Sequence, residues 1–237
     1  MTKYKKLNQK KLSIIIPCFN EKNTIIEIIK KIEKVNLGTI EKEIIIVDDG
    51  SDDGTNLLLE NLSNKYRVIF HTRNKGKGAC IKSALKYVNG EIVLIQDADL
   101  EYDPNDYPSL IKPILKKQSK VVFGSRELNT SNEKHSGITF YIGGKILTFL
   151  TNKLYNSKLT DVTAGYKVFE TEVLENLNIK SKKFDFCCEV AAKLLKRGYK
   201  IIEIPISYEP RLKSQGKKIR YRDGLDALLR LLTIKFQ

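Results

Sequence analysis

Asp97, Asp99, Glu101 and Asp103 fall within seven residues at the end of one apolar run. Carboxylates this close repel one another unless a cation lies among them, and hard oxygen ligands suit Mg2+ or Mn2+. The same spacing also describes a solvated acidic loop that caps a helix at Asp103-Pro104, so on spacing alone both readings stand. Asp48 and Asp49 end another apolar run in the turn Asp-Asp-Gly-Ser-Asp-Asp-Gly. Such residues form turns readily, yet with Thr55 as N-cap of the next helix the pair is left to meet the base or ribose of a nucleotide. Gly76-Lys77-Gly78 opens a helical stretch and would let backbone approach a phosphate, with Arg73 and Lys75 read as solvated charges beside it. Neither GxGxxG nor GxxxxGKS/T occurs, which argues against a dinucleotide dehydrogenase or a P-loop enzyme. His71 and His135 lack triad partners and no serine sits in a nucleophile elbow, so both histidines are read as structural or surface residues.

The runs LSIIIP (12–17), EIIIVD (43–48), RVIFH (67–71), EIVLIQD (91–97) and KVVFGS (120–125) are apolar without alternation, as strands buried on both faces are. Helical patterns separate them at about 24–35, 55–64, 77–89 and 105–117, the first opening on the capping-box spacing Thr24-x-x-Glu27. This alternation predicts a doubly wound, mostly parallel α/β sheet, in which ligands bind beyond the C-terminal ends of the strands. Those ends read Pro17-Cys18-Phe19-Asn20-Glu21, Asp48-Asp49-Gly50-Ser51, Asp97-Ala98-Asp99 and Gly124-Ser125-Arg126. Farther on come a helix around 138–155, a loop and strand over LTDVTAGYKVF (159–169), a helix near 185–197 and a strand over YKIIEIPISYEP (199–210). No linker or repeat interrupts the chain. Residues 1–237 are read as one domain, with a basic tail over 1–11 and a basic turn plus amphipathic helix over 211–237.

A chain of 237 residues with 41% apolar and 30% charged residues is a soluble globular protein by composition, neither disordered nor fibrous. Lys and Arg number 42 against 28 Asp and Glu, a net charge of +14. Five lysines fall in residues 1–12 and eight basic residues in 211–237. Charge concentrated in this way points to an anionic partner: a phosphorylated ligand, a membrane face or nucleic acid. Cys18, Cys80, Cys187 and Cys188 show no metal-binding spacing, and are read as reduced thiols in a cytosolic setting, without zinc or a disulfide framework. Too few apolar residues follow the basic start for a signal peptide, and no run approaches the roughly 20 of a membrane span. Leu225, Leu228, Leu229, Leu232 and Phe236 recur at spacings of three and four, and Ile138, Tyr141, Ile142, Ile146 and Phe149 form a second apolar set. Either stripe suits core packing or membrane contact.

Taken in order, IIIPCFNE, EIIIVDDGSDDGT, NKGKGACIKSAL, VLIQDADLEYDP, VFGSR, LTDVTAGYKVF and EIPISYEPRLKSQGKKI resemble the GT-A glycosyltransferases of family 2. Within these the chain looks like the branch that makes polyprenyl-phosphate sugars, such as the dolichyl-phosphate mannosyltransferases, and the resemblance runs from about residue 12 to 225. It implies a Rossmann-like nucleotide-diphospho-sugar transferase in which Pro17, Phe19 and Glu21 with Val47 and Asp49 hold the nucleoside. Asp97, Asp99 and Glu101 would hold Mg2+ or Mn2+ on the diphosphate, with Ala98 in the same site, and Arg126, Arg211 and Lys217 would meet phosphates or the sugar. Asp99, Arg126 and Asp161 would take the catalytic roles. The family usually has Tyr where Phe19 stands, and its Asp-Pro-Thr-Ser-Gly-Phe-Arg segment reads here Asp161-Val162-Thr163-Ala164-Gly165-Tyr166-Lys167.

The reaction so implied is inverting, metal-dependent transfer of a sugar from a GDP-mannose- or UDP-glucose-type donor to a polyprenyl or dolichyl phosphate. Departure of a nucleoside diphosphate needs its developing charge neutralised, which a divalent ion with Arg and Lys accomplishes. A lipid phosphomonoester, with a second pKa of about 6, is already ionised at neutral pH and requires no general base. Many relatives that glycosylate hydroxyls depend on a dedicated carboxylate and a Gln-x-x-Arg-Trp motif, whereas this chain has no Trp. Two alternatives stand beside this reading, a hydroxyl-directed glycosyltransferase of cell-surface glycan synthesis and a sugar nucleotidyltransferase. Nucleic acid is not expected as a partner, because it would leave the acids at the strand ends unexplained and no aromatic RNA-binding motif is present. The expected location is peripheral, on the cytoplasmic face of a membrane, with a separate membrane subunit as a conceivable partner.

Overall fold

The computed structural model describes residues 10–132, 137–211 and 221–237. In chain order these form β1 (Lys11–Cys18), α1 (Ile25–Lys34), β2 (Glu41–Asp48), α2 (Thr55–Glu60), β3 (Arg67–Phe70), α3 (Lys77–Leu85), β4 (Ile92–Ile95), a 3-10 turn (Pro104–Asp106), α4 (Tyr107–Leu115) and β5 (Val121–Ser125). They continue as α5 (Ile138–Tyr155), β6 (Lys167–Glu170), α6 (Thr171–Asn176), α7 (Phe186–Lys196), β7 (Ile201–Pro205) and α8 (Tyr221–Phe236). The strands make one seven-stranded sheet in the order β3-β2-β1-β4-β6-β5-β7.

β1 pairs in parallel with both β2 and β4, with Ile14, Ile15 and Ile16 opposite Ile44, Ile45 and Ile46. Because successive side chains point to opposite faces, Ile15, Ile45, Val93 and Val121 enter one core and Ile14, Ile46, Leu94 and Val122 the other. Ile28, Ile32 and Leu110 from α1 and α4 cover the second face, while Ile81 of α3, Val190 and Leu194 of α7 and Leu231 of α8 cover the first. Both faces are therefore dry, which is why these runs are apolar throughout.

β6 alone runs against its neighbours, pairing antiparallel with β4 and β5. This reversal brings the loop ahead of β6, carrying Asp161 to Gly165, to the same edge as the C-terminal ends of β1, β2, β4 and β5. Sequence periodicity does not encode strand direction. The doubly wound, mostly parallel reading is met, and its reversed strand is what assembles the two halves of the site.

Two expected caps are different in the structure. Thr24 makes no capping bond, its hydroxyl donating instead to the Glu21 carboxylate at 2.8 Å. Gly54 rather than Thr55 precedes α2; Thr55 is buried, its hydroxyl accepting from the Glu21 backbone N–H at 2.9 Å and donating to Asp53 at 2.6 Å. Asp103 does cap the turn at Pro104, accepting from Asn105 N–H at 3.0 Å, which removes it from the acids available to a cation. Strand β7 is shorter than the expected 199–210, and α6 was not foreseen.

Candidate active site

Four carboxylates and two cations meet at the C-terminal edge of the sheet. Glu21 follows β1; Asp97, Asp99 and Glu101 follow β4; Lys77 opens α3; Arg211 follows β7. Lys77 is paired with Asp97. Arg211 donates to both oxygens of Glu21, at 2.9 and 3.1 Å, and to Asp99 at 3.0 Å, and its backbone N–H reaches Glu101 at 3.0 Å. The Asp99 carboxyl is pushed up to about 7, first by burial and then by the charges of Asp97 and Glu101, against the pull of Arg211. Burial works to lower Lys77, but Asp97 together with the weaker pull of Cys187 and Asp99 holds the ammonium above its usual range. Among the described residues two cations face four acids at this edge, and Asp97, Asp99 and Glu101 are the hard-oxygen set a divalent ion prefers.

On the other side of the cleft Asp161 and Arg126 form a two-pronged pair, Nε–Oδ2 2.7 Å and Nη2–Oδ1 2.8 Å, with Arg126 also donating to Thr163 at 2.8 Å. Burial would raise the Asp161 carboxyl, but the Arg126 guanidinium holds it below the usual carboxylate range. Arg126 lies over the Tyr208 ring, 5.2 Å from its centroid. Glu203 of β7 fixes the loop from below, accepting from the backbone N–H groups of Thr160 at 2.7 Å and Asp161 at 2.9 Å. A buried amide, Gln96, accepts from the hydroxyls of Tyr107 at 2.6 Å and Tyr166 at 2.7 Å, locking the strand end to the same loop.

Gly165 is where the two sides touch. A Cβ there would run into the Asp97 carboxylate and come 2.8 Å from the Tyr102 ring, while its N–H donates to the Tyr102 hydroxyl at 3.0 Å. Gly165→Ala is expected to cost about 1–3 kcal/mol through overpacking and to displace Asp97, read as a lower melting temperature together with weaker Mn2+ binding. Unchanged values for both would show that the loop relaxes freely.

The residues expected on the nucleoside side are tied together by hydrogen bonds. Asp49 is buried and accepts from Lys75 N–H at 3.0 Å, Gly76 N–H at 2.6 Å and His71 Nδ1 at 2.6 Å, and His71 Nε2 meets Ser83 at 2.9 Å. Asp49 thus holds the turn into α3, and Asp48 accepts from the Ser51 hydroxyl at 2.5 Å, so neither carboxylate is left over as the turn chemistry suggested. Val47 has its side chain in the core, which leaves its backbone for any ligand. Among the described residues, Asp49, His71 and Cys80 are the trio whose ligand atoms lie within 4.8 Å of one another. Burial keeps the Cys80 thiol far above its usual range, hence neutral, and the Asp49 and His71 bonds are satisfied, so this trio is a structural cluster.

The sequence model described as Glycosyl transferase family 2 matches residues 13–177. The chain belongs to this family. Its relatives include a UDP-N-acetylglucosamine–dolichyl-phosphate N-acetylglucosaminyltransferase of Methanococcus voltae, 28% identical over 95% of this chain and 96% of that protein. A dolichol-phosphate mannosyltransferase of Pyrococcus furiosus is 29% identical over 87% of this chain, which spans only 59% of that longer protein. Among solved structures, glucosyl-3-phosphoglycerate synthase from Mycobacterium tuberculosis, in complex with Mn2+, UDP and phosphoglyceric acid, superposes with a TM-score of 0.74 at 18% identity, covering 95% of this chain and 78% of that one. The fold is GT-A, and the protein is a glycosyltransferase.

In this glycosyltransferase the residues singled out by sequence fall into two groups. Glu21, Asp99 and Glu101 converge around the Arg211 guanidinium with Asp97 beside them on Lys77, and Arg126 with Asp161 faces them across Gly165 and Tyr102. Pro17 and Phe19 are half-buried beside the β1 end, Ala98 is buried next to Asp97, and Lys217 and His135 lie outside the described residues. Lys77 was missed as a site residue. Its flanking glycines serve packing, since a Cβ on Gly76 or Gly78 would strike the carbonyls of Lys182 and Ser181.

Proposed function

We propose that this glycosyltransferase moves a sugar from a nucleoside-diphosphate donor onto the phosphate of a polyprenyl lipid, with inversion at the anomeric carbon. The observation that carries the acceptor class is the Asp161–Arg126 pair: a carboxyl held low by a two-pronged arginine is a poor base, so the acceptor-side loop suits a nucleophile that arrives ionised. The 28% identity to a dolichyl-phosphate N-acetylglucosaminyltransferase over 95% of the chain supports the same acceptor.

In this reading Asp97, Asp99 and Glu101 hold Mg2+ or Mn2+, which neutralises charge on the donor diphosphate. The donor set fits that ion in type. Lys77 and Arg211 then donate to the phosphates, Pro17, Phe19 and Glu21 line the nucleoside side with the Asp49-braced turn, and Arg126 orients the acceptor phosphate. The acceptor oxygen attacks the anomeric carbon from the face opposite the leaving group; the bond to the β-phosphate oxygen breaks, and nucleoside diphosphate departs with the electron pair.

The acceptor cannot leave the bilayer, so the protein must reach the membrane surface, on the cytoplasmic face in this proposal. Among the described residues no helix is long and apolar enough to cross a membrane. Instead α5 leaves Ile138, Ile142, Ile146 and Phe149 exposed, and α8 leaves Leu225, Leu229, Leu232 and Phe236 exposed, while Ala227, Leu231 and Ile234 face the core.

The test incubates the protein and Mn2+ with UDP- and GDP-sugars, a polyprenyl phosphate and, for contrast, the unphosphorylated polyprenol. Lipid-phosphate sugar and free nucleoside diphosphate are expected, with no product from the polyprenol. Pyrophosphate release would overturn the reading in favour of a nucleotidyltransferase, and glycosylation of the polyprenol in favour of a hydroxyl acceptor.

A further inference from the structure

Arg211 sits where a divalent ion would be wanted. Its guanidinium bridges Glu21 and Asp99 through both terminal nitrogens, and its Nε lies 3.7 Å from Glu101. Among the described residues that buried Nε–H has no hydrogen-bond acceptor. Arginine carries five donors in a fixed fork that matches carboxylates and phosphates alike. Glu21 and Asp99 accept three hydrogen bonds from this one, and the Nε–H faces Glu101 from beyond hydrogen-bond distance.

The backbone that carries Arg211 is fastened independently of the side chain. Tyr208 bridges to Tyr102, Glu209 N–H donates to the Glu101 carbonyl at 2.9 Å, and Arg211 N–H donates to the Glu101 carboxylate at 3.0 Å. A change of partner therefore needs only rotation of the long side chain, with the segment 208–211 staying in place. Lys77 stands in the same relation to Asp97, so each end of the acidic cluster has its own protein cation.

We infer that Arg211 is a placeholder for the divalent ion: without donor it occupies the carboxylates and keeps free metal out, and the donor diphosphate draws it away so that metal and donor load together. The inference rests on the metal and donor roles proposed above and adds the order in which they are filled. A bare Mg2+ or Mn2+ arriving at the donor-free site must break the Arg211–Asp99 bond and the Lys77–Asp97 pair and lie beside both positive charges. A diphosphate supplies oxygens for the guanidinium, including its Nε–H, and so frees Asp99 for the ion and removes the guanidinium charge 3.7 Å from Glu101.

The experiment measures Mn2+ binding by electron paramagnetic resonance on the full chain, with and without UDP and GDP, for wild type, Arg211→Gln and Arg211→Lys. Removing a charge this close to a divalent ion at a largely buried site is expected to tighten Mn2+ binding in the absence of nucleotide by about tenfold or more. In wild type the nucleotide strengthens Mn2+ binding strongly; in Arg211→Gln that enhancement shrinks, and Arg211→Lys falls between the two. Circular dichroism and the melting temperature check that each variant is folded, and Arg211→Lys, which keeps the charge, carries the test if Arg211→Gln does not fold. If folded Arg211→Gln binds free Mn2+ no more tightly than wild type, while wild type still binds it in the presence of nucleotide, the placeholder role is overturned and the metal site stands. If no protein binds Mn2+ with or without nucleotide, the metal site itself is wrong and the inference falls with it.

Discussion

Asp99→Asn is expected to lower turnover by about two to three orders of magnitude, the loss typical when one preorganised group that stabilises developing charge is removed, while leaving the fold intact. Asn keeps the size of Asp and still offers its one oxygen to the Glu101 N–H, which in the wild type donates to Asp99 Oδ1 at 3.1 Å, while the bond from Arg211 to Oδ2 is given up. The melting curve carries a second signature. The Asp99 carboxyl is raised to about 7 from an ordinary 3.8, chiefly by burial and then by Asp97 and Glu101. A group whose folded pKa is raised contributes stability that is complete below its unfolded pKa and is lost as pH rises through the folded one. Wild type should therefore lose stability between about pH 4 and 7 through this residue, and Asp99→Asn should lack that descent, so that the variant is no less stable than wild type at pH 8. Metal binding runs the other way: Mn2+ needs the deprotonated carboxylate, and wild-type affinity should rise from pH 6 to pH 8. Full activity in Asp99→Asn, or activity indifferent to EDTA, would remove Asp99 from the chemistry.

Much of this site can be read from sequence because its acids are local: Asp97, Asp99 and Glu101 follow one buried strand, and a doubly wound sheet puts strand ends at the ligand. The partners that decide what those acids do are not local. Arg211 reaches Asp99 across 112 positions and Glu21 across 190, and Asp161 meets Arg126 across 35. Nothing in RLKSQGK says which of its charges turns inward. Lys77 is one of 42 basic residues, and its flanking glycines, which invite a phosphate reading, are there because the backbone of Ser181 and Lys182 packs against them. Asp48 and Asp49 show the converse failure. Turn propensity left them as spare carboxylates, yet Asp49 is buried and spends its oxygens on the backbone N–H groups of Lys75 and Gly76. The direction of β6 was likewise invisible, since Lys167–Glu170 is buried whichever way it runs.

Replacing Ile146 and Leu229 together by Glu is expected to abolish membrane docking without disturbing the core. Both side chains are well exposed, at 52% and 62%, on helices that pack against one another, with the Tyr155 hydroxyl of α5 donating to the Leu231 carbonyl of α8 at 2.7 Å. Their neighbours Phe149 and Phe236 are 63% and 81% exposed, an arrangement that wastes apolar area in water and that, under the proposed docking, would seat two helices on the acyl boundary of a bilayer. Lys153 and Lys235 flank the same helices, and each basic residue near an anionic leaflet adds about 1 kcal/mol. Full burial of a Leu or Ile is worth about 1.5–3 kcal/mol, so losing even half of that at two positions, with two new negative charges, should reduce partitioning by about a hundredfold. Co-sedimentation with phosphatidylserine-containing vesicles measures this, and wild-type binding should weaken as salt is added. The melting temperature should stay within a degree or two because neither residue contributes to the buried clusters. Activity on polyprenyl phosphate embedded in vesicles should fall much more than activity on a short-chain acceptor in solution, which separates docking from chemistry. Wild-type protein that remains in the supernatant at low salt would end the proposal of intrinsic docking, and would move delivery to the lipid onto a separate membrane subunit seated on this same pair of helices.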